Sequence, residues 1–161
     1  MIGYVTVEEA DEYVTTHFIS EDPLRESWED LEDEDKEVLL RKSYETIESL
    51  PFSGHKTDPS QPNAFPRCPS TEVPTAIIAA QVENAVSMSD SQATEDAAYY
   101  GKLWQFGVES YSIGNLSEHV GQGSWGSGTS AAVTGLVSAT AMRLLKPFLQ
   151  GSYRIRGGRA Q

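Results

Sequence analysis

Three prolines fall within nine residues, in Gln61-Pro62-Asn63-Ala64-Phe65-Pro66-Arg67-Cys68-Pro69. Proline fixes φ and pushes the residue before it out of the helical region. Gln61, Phe65 and Cys68, each followed by proline, are therefore expected to be extended. The stretch lies between two helix-like segments and is too stiff to be a slack linker. It can hold Phe65 against a core, with Pro66 fixing the backbone, and project Arg67 in one direction toward an acidic partner. Gln61, Phe65, Pro66 and Arg67 thus form a structural loop.

Helical periodicity dominates on either side. Thr6 and Glu9 have capping-box spacing ahead of Val7, Ala10, Val14 and Phe18, which recur on one face. Residues 20–37 are strongly acidic, and the run Glu29–Asp35 reads as a loop passing into a helix start, where the dipole favours carboxylates, with Trp28 anchoring that loop onto helix one or two. A second helix is expected from about Asp33 to Leu50, with Leu40, Tyr44, Ile47 and Leu50 inward. A third begins near Pro74 and carries Ile78, Val82 and Ala85 on one face, with a frayed end at Ser87–Ser91. A last one is expected over Ala131–Lys146, presenting Val133, Val137, Thr140 and Leu144.

Between the third helix and the last, the pattern changes. Leu103, Trp104 and Phe106, then Val108, Tyr111 and Ile113, lie in alternating stretches broken by Gly101, Gly107 and Gly114. This reads as strand. Two strands bury little alone, so the piece must lie on the helices or pair with another chain. Trp125, inside the Gly/Ser run 121–128, suggests a contact made on assembly. The fold expected is mainly α: a small bundle of about four helices, a strand or hairpin excursion around 102–120, and an extended C-terminal tail.

Composition narrows the chemistry. The 161 residues suffice for one domain with a real core, although only 39% are hydrophobic. Cys68 is the sole cysteine, which excludes an internal disulfide and a cysteine zinc site. No apolar run could span a bilayer, no signal-peptide pattern opens the chain, and a reducing cytoplasm is expected. His17, His55 and His119 are scattered, the acidic run lacks the glycine and spacing of a calcium loop, and no Gly-x-Ser-x-Gly elbow or phosphate loop is present. The residues point to a non-enzyme with no metal and no cofactor.

Charge is unevenly spread. The net value is −12, but residues 1–97 carry 22 acidic and 6 basic side chains, and residues 98–161 carry 2 and 6. The first part repels a phosphate backbone; only the end, with Arg154, Arg156 and Arg159, attracts one.

Several pieces come in a familiar order: Tyr4-x-Thr6 followed by Glu9-Ala10-x-x-Tyr13; Trp28; Leu39-Leu40; Gly54-x-Lys56, then Gln61-x-x-Ala64-Phe65-Pro66-Arg67; and Val73-Pro74 opening a helix. Over roughly residues 3–90 this resembles tailed-phage proteins labelled DnaT-like single-stranded-DNA-binding, which in turn resemble head-tail connector (adaptor) proteins. Leu144-Leu145-Lys146-Pro147-Phe148 is similar to the connectors' closing helix. The resemblance implies a structural neck protein of the virion, assembled in the host cytoplasm. It would be a homo-oligomeric, dodecameric ring docked on the portal protein and meeting a tail-terminator, tail-completion or stopper protein, with genomic DNA passing through unbound. Residues 1–150 would be one helical adaptor domain with an excursion at 99–130, and 151–161 a basic tail. Tyr153, Arg154, Ile155, Arg156 and Arg159 would bind the portal. Leu103, Trp104, Phe106, Val108, Tyr111, Ile113 and Trp125 would make inter-subunit contacts. An acidic body suits a channel through which DNA slides. The alternative is a single-stranded-DNA-binding replication protein, which the charge of the body disfavours.

Overall fold

The computed structural model describes residues 3–105, 110–113, 116–119 and 135–150, with side chains described for 3–99 and 135–150. The protein is mainly helical. Six α-helices follow one another among the described residues: α1 (Val7–His17), α2 (Pro23–Glu29), α3 (Asp33–Glu48), α4 (Thr75–Ser89), α5 (Ser91–Gln105) and α6 (Ala139–Leu145). A single 3-10 turn, Lys146–Phe148, follows α6. Two short strands, β1 (Ser110–Ile113) and β2 (Leu116–His119), pair antiparallel with Ser110 opposite His119 and Ile113 opposite Leu116.

Everything is built around α4. Ile77, Ala80, Gln81, Val82, Asn84, Ala85, Val86 and Ser87 are all buried, on every side of the helix. A helix covered all round is a core helix rather than a half-exposed one. Its first half meets Ile47, Leu50, Phe52, Phe65, Leu136, Leu145 and Leu149. Its second half meets Val5, Ala10, Val14, Trp28 and Leu40.

A polar network separates the two apolar clusters. Gln81 Oε1 accepts from Tyr4 N at 3.0 Å, and Gln81 Nε2 donates to Leu40 O at 3.0 Å. Ser43 Oγ donates to Gln81 O at 2.8 Å and accepts from Asn84 Nδ2 at 3.3 Å. Asn84 Oδ1 takes the amides of Val137 (2.8 Å) and Ser138 (3.2 Å). A buried polar group left unpaired costs about 1–3 kcal/mol, so this network fixes how α3, α4 and the start of α6 meet.

The run Glu29–Asp35 passes through a short non-helical link into α3, as expected, but a further helix, α2, precedes it. Asp22 Oδ1 accepts from Leu24 N at 2.9 Å and Pro23 takes the first turn, so α2 has a proper start. Trp28 is fully buried and donates its indole N–H to Asp11 Oδ1 of α1 at 2.8 Å. Lys36 Nζ lies 3.2 Å from the same carboxylate and 5.8 Å from the Trp28 ring centroid. The α1 capping box is formed, with Glu9 N donating to Thr6 Oγ1 (3.2 Å) and Thr6 N to Glu9 Oε2 (2.8 Å).

Three further expectations are corrected. Residues 99–105, expected as strand, belong to α5. Ser87–Ser91, expected as a frayed end, instead completes α4 at Ser89 and opens α5 at Ser91, with Asp90 between them: Asp90 Oδ1 accepts from Gln92 N at 2.9 Å and Asp90 O from Thr94 N at 3.1 Å. With a cap in place and Ala97 and Ala98 inside, helix outweighs an alternation only four residues long. The last helix begins at Ala139 rather than Ala131. Gly135 has φ +71°, outside helical backbone, and Ser138 Oγ caps Ala141 N at 3.2 Å. The buried residues of α6 are therefore Ala141, Met142 and Leu145, and Leu136 enters the core from extended chain.

Candidate nucleic-acid interface

The proline stretch is held from several directions. Phe65 is 2% exposed, with its ring edge-on to Phe52 (4.7 Å), Phe148 (5.6 Å) and Tyr4 (6.3 Å). The Phe65–Pro66 and Cys68–Pro69 bonds are cis. Gln61 Nε2 donates to Asn63 O and Pro66 O, both at 2.9 Å, and Lys56 Nζ donates to Gln61 O (3.1 Å) and Pro62 O (3.2 Å). On the α3 side, the Tyr4 hydroxyl donates to Glu48 Oε1 and accepts from Phe65 N, while Ala64 N donates to Glu48 Oε2 at 2.7 Å. Burial, reinforced by Glu48, holds the Tyr4 hydroxyl far above the usual phenol range.

Among the described residues Arg67 pairs with carbonyls and with no acid. Its Nε donates to Ser53 O at 2.7 Å, Nη1 to Ala64 O at 3.2 Å, and Nη2 to Phe52 O at 3.4 Å and to Gly54 O. The reason is local: the turn leaves several carbonyls facing one point, and a planar five-donor cation can satisfy them together.

The end of the described chain joins this loop. Ser53 N and Oγ donate to Phe148 O at 2.8 and 3.0 Å. Gln150 N donates to Pro51 O at 2.9 Å and Gln150 Nε2 to Phe52 O at 3.1 Å. Residues almost a hundred positions apart thus meet, and Gln150 lies beside Pro51 and Phe52. Ser53, Phe148, Gln150 and Glu48 were missed by sequence reasoning because no local spacing links them.

Charge is segregated around this junction. Residues 8–48 carry 16 acids and 4 bases, while residues 135–161 carry 5 bases and no acid. Two cations of the acidic part are engaged within it: Arg25 Nε donates to Glu29 Oε1 at 2.7 Å and Lys36 holds Asp11. Arg143 and Lys146, at the end of α6, are exposed. A phosphate backbone is therefore repelled by α1–α3 and attracted toward the C-terminal end.

A second titratable group of residues lies between α1 and α4. Tyr13 OH donates to Glu83 Oε1 at 3.0 Å, and the His17 ring stacks on Tyr13 at 3.8 Å. Burial and the neighbouring Glu83 push the Tyr13 phenol up to about 12, and burial raises Glu83 in turn. Among the described residues no three His, Cys, Asp or Glu side chains converge where a metal could sit.

The structure brings Gln61, Phe65, Pro66 and Arg67 together in one loop. Leu103 and Trp104 lie on α5, and Tyr111 and Ile113 on β1, opposite Glu118 and Leu116. Phe106, Val108, Trp125, Tyr153, Arg154, Ile155, Arg156 and Arg159 lie outside the described residues.

Residues 3–160 match the model of a family described as "Putative DnaT-like ssDNA binding protein". No curated protein and no solved structure matches the chain. The family match overturns the expectation of a virion neck adaptor: it points to single-stranded DNA, not to a ring on a portal, a tail-side partner, or DNA that passes unbound. The portal goes as the partner of Tyr153, Arg154, Ile155, Arg156 and Arg159, and the ring as the purpose of Leu103, Trp104, Phe106, Val108, Tyr111, Ile113 and Trp125. The physical error was to let the acidity of one part stand for the whole chain. Carboxylates over residues 8–48 show where a phosphate backbone is not held, and they leave residues 98–161, of opposite sign, free to hold it.

Proposed function

We infer function from one premise: this chain belongs to the DnaT-like single-stranded-DNA-binding family, whose model spans almost its whole length. It binds single-stranded DNA and turns over no substrate. That family match is the observation that carries the reading, and the distribution of residues supports it. Residues 98–161 hold 8 of the 15 aromatic side chains and 6 of the 12 basic ones. Single-strand binders combine bases for the backbone with aromatic faces for stacking. Trp104 follows Lys102, and Tyr153 precedes Arg154 and Arg156. The helical body, residues 1–97, acts as the platform and orients the strand by repulsion. The excursion that includes the β1–β2 hairpin and the tail 151–161 supply the contacts.

The test is a titration of fluorescently labelled oligothymidylate at two salt concentrations. With Arg154, Arg156 and Arg159 each neutralising one phosphate, raising salt from about 50 to about 200 mM weakens binding roughly eighteenfold. Absence of binding at the lower concentration, or an affinity indifferent to salt, rejects this function.

A further inference from the structure

Arg67 sits on one side of a short segment whose other side holds the C-terminal end of the described chain. Its guanidinium gathers the carbonyls of Phe52, Ser53 and Gly54. Across the same segment, Phe52 forms an antiparallel bridge with Leu149, Ser53 donates twice to Phe148 O, and Gln150 reaches Pro51 and Phe52. Phe52 O accepts from both sides, from Arg67 Nη2 at 3.4 Å and from Gln150 Nε2 at 3.1 Å. The Arg67 side chain also lies 6.0 Å from the Phe65 ring centroid, and Phe65 touches Phe148. Several carbonyl dipoles converging on one point repel one another unless a cation sits among them, and a rigid fork of donors does this where a point charge cannot.

We propose that Arg67 is a positioning residue for the basic C-terminal segment. By ordering residues 52–54 it fixes the edge on which Phe148–Gln150 is laid, immediately ahead in sequence of the stretch that carries Arg154, Arg156 and Arg159. The DNA half of this inference rests on the function proposed above; the clamp itself does not. A fixed point of departure lowers the ordering cost of each contact the tail makes, which is where affinity is gained without a new contact.

The experiment compares the full chain, Arg67→Met and Arg67→Lys. Each is examined in the native background and in one carrying Arg154→Gln, Arg156→Gln and Arg159→Gln. Hydrogen exchange reads the clamp: Arg67→Met speeds exchange of the Ser53 and Gln150 amides by about tenfold while Val82 in α4 stays protected. Oligothymidylate affinity reads its consequence. Arg67→Met weakens binding about fivefold with the salt slope unchanged, because the same phosphates are still met. In the arginine-neutralised background Arg67→Met has no further effect, the non-additivity expected of a residue acting through others. Arg67→Lys recovers little. If Arg67→Met exposes Val82, Arg67→Lys carries the comparison. Unchanged exchange at Ser53 and Gln150, or an equal loss of affinity in both backgrounds, overturns the positioning role. Failure of the wild-type chain to bind at all rejects the DNA reading and the ligand half of this inference, while the amides still decide the clamp.

Discussion

The acidic helices α1–α3 and the basic C-terminal stretch from residue 135 use charge in opposite ways. In the first, carboxylates are spread over helix surfaces and two of its four cations are bound within it, Arg25 to Glu29 and Lys36 to Asp11. In the second, five bases occur with no acid among them. The first region is thus stabilised by what lies beneath its charges, chiefly Trp28 and the apolar face of α1, because exposed ion pairs contribute little. The second is tied to the body by backbone hydrogen bonds to residues 51–53 and by Asn84. On the function proposed above, opposite charge in one chain separates the part that repels a polyanion from the part that attracts it.

Three perturbations would break or sharpen this contrast. The largest effect is expected from Trp28→Ala in the acidic part. It removes a fully buried ring and leaves Asp11 with Lys36 alone, at a cost of about 4 kcal/mol, read as a lower urea midpoint. Oligonucleotide affinity of the fraction that remains folded should be unchanged; a parallel fall in affinity would mean that the two regions are not separate in function.

Asn84→Ala comes next, because it acts on the basic side. It strands the buried amides of Val137 and Ser138 and should cost about 2 kcal/mol. Here exchange at the α6 amides should rise before that of α1, and equal acceleration in both would show the clusters to be one cooperative unit.

The smallest effect belongs to pH. The Tyr13 phenol is pushed up to about 12 in the folded chain, against an ordinary value near 10, so the protonated form is favoured by folding. Its contribution is fully present below pH ~10 and is lost as pH rises toward ~12. Thermal midpoints measured across that window should fall less steeply for Tyr13→Phe than for wild type. Tyr4 contributes in the same direction, so a residual slope remains.

Much of the helical framework was legible because its signals are local. The Thr6–Glu9 box, the inward face Leu40, Ile47 and Leu50, and the start of α4 after Pro74 all follow from spacing within a few residues. Local signals also misled. Asp22 and Pro23 passed unread among the carboxylates, although they are a cap and a first turn. The alternation of Leu103, Trp104, Gln105 and Phe106 looked like strand, although a cap at Asp90 carries helix through Gln105. The candidate interface was half visible. Its arginines and aromatics could be counted, but their anchoring at Ser53 and Phe52 could not.

By itself, the sequence determined the helical class, the stiff proline loop and the division of charge, since each depends on neighbours along the chain. Tertiary structure alone decided that Arg67 gathers carbonyls rather than an acid, that Gln81 and Asn84 are core residues, and that Gln150 lies beside Pro51. The physical reason is one of range. Capping and periodicity act over three or four residues, whereas a buried donor takes whichever acceptor folding brings within 3 Å or so, and sequence distance does not enter that choice.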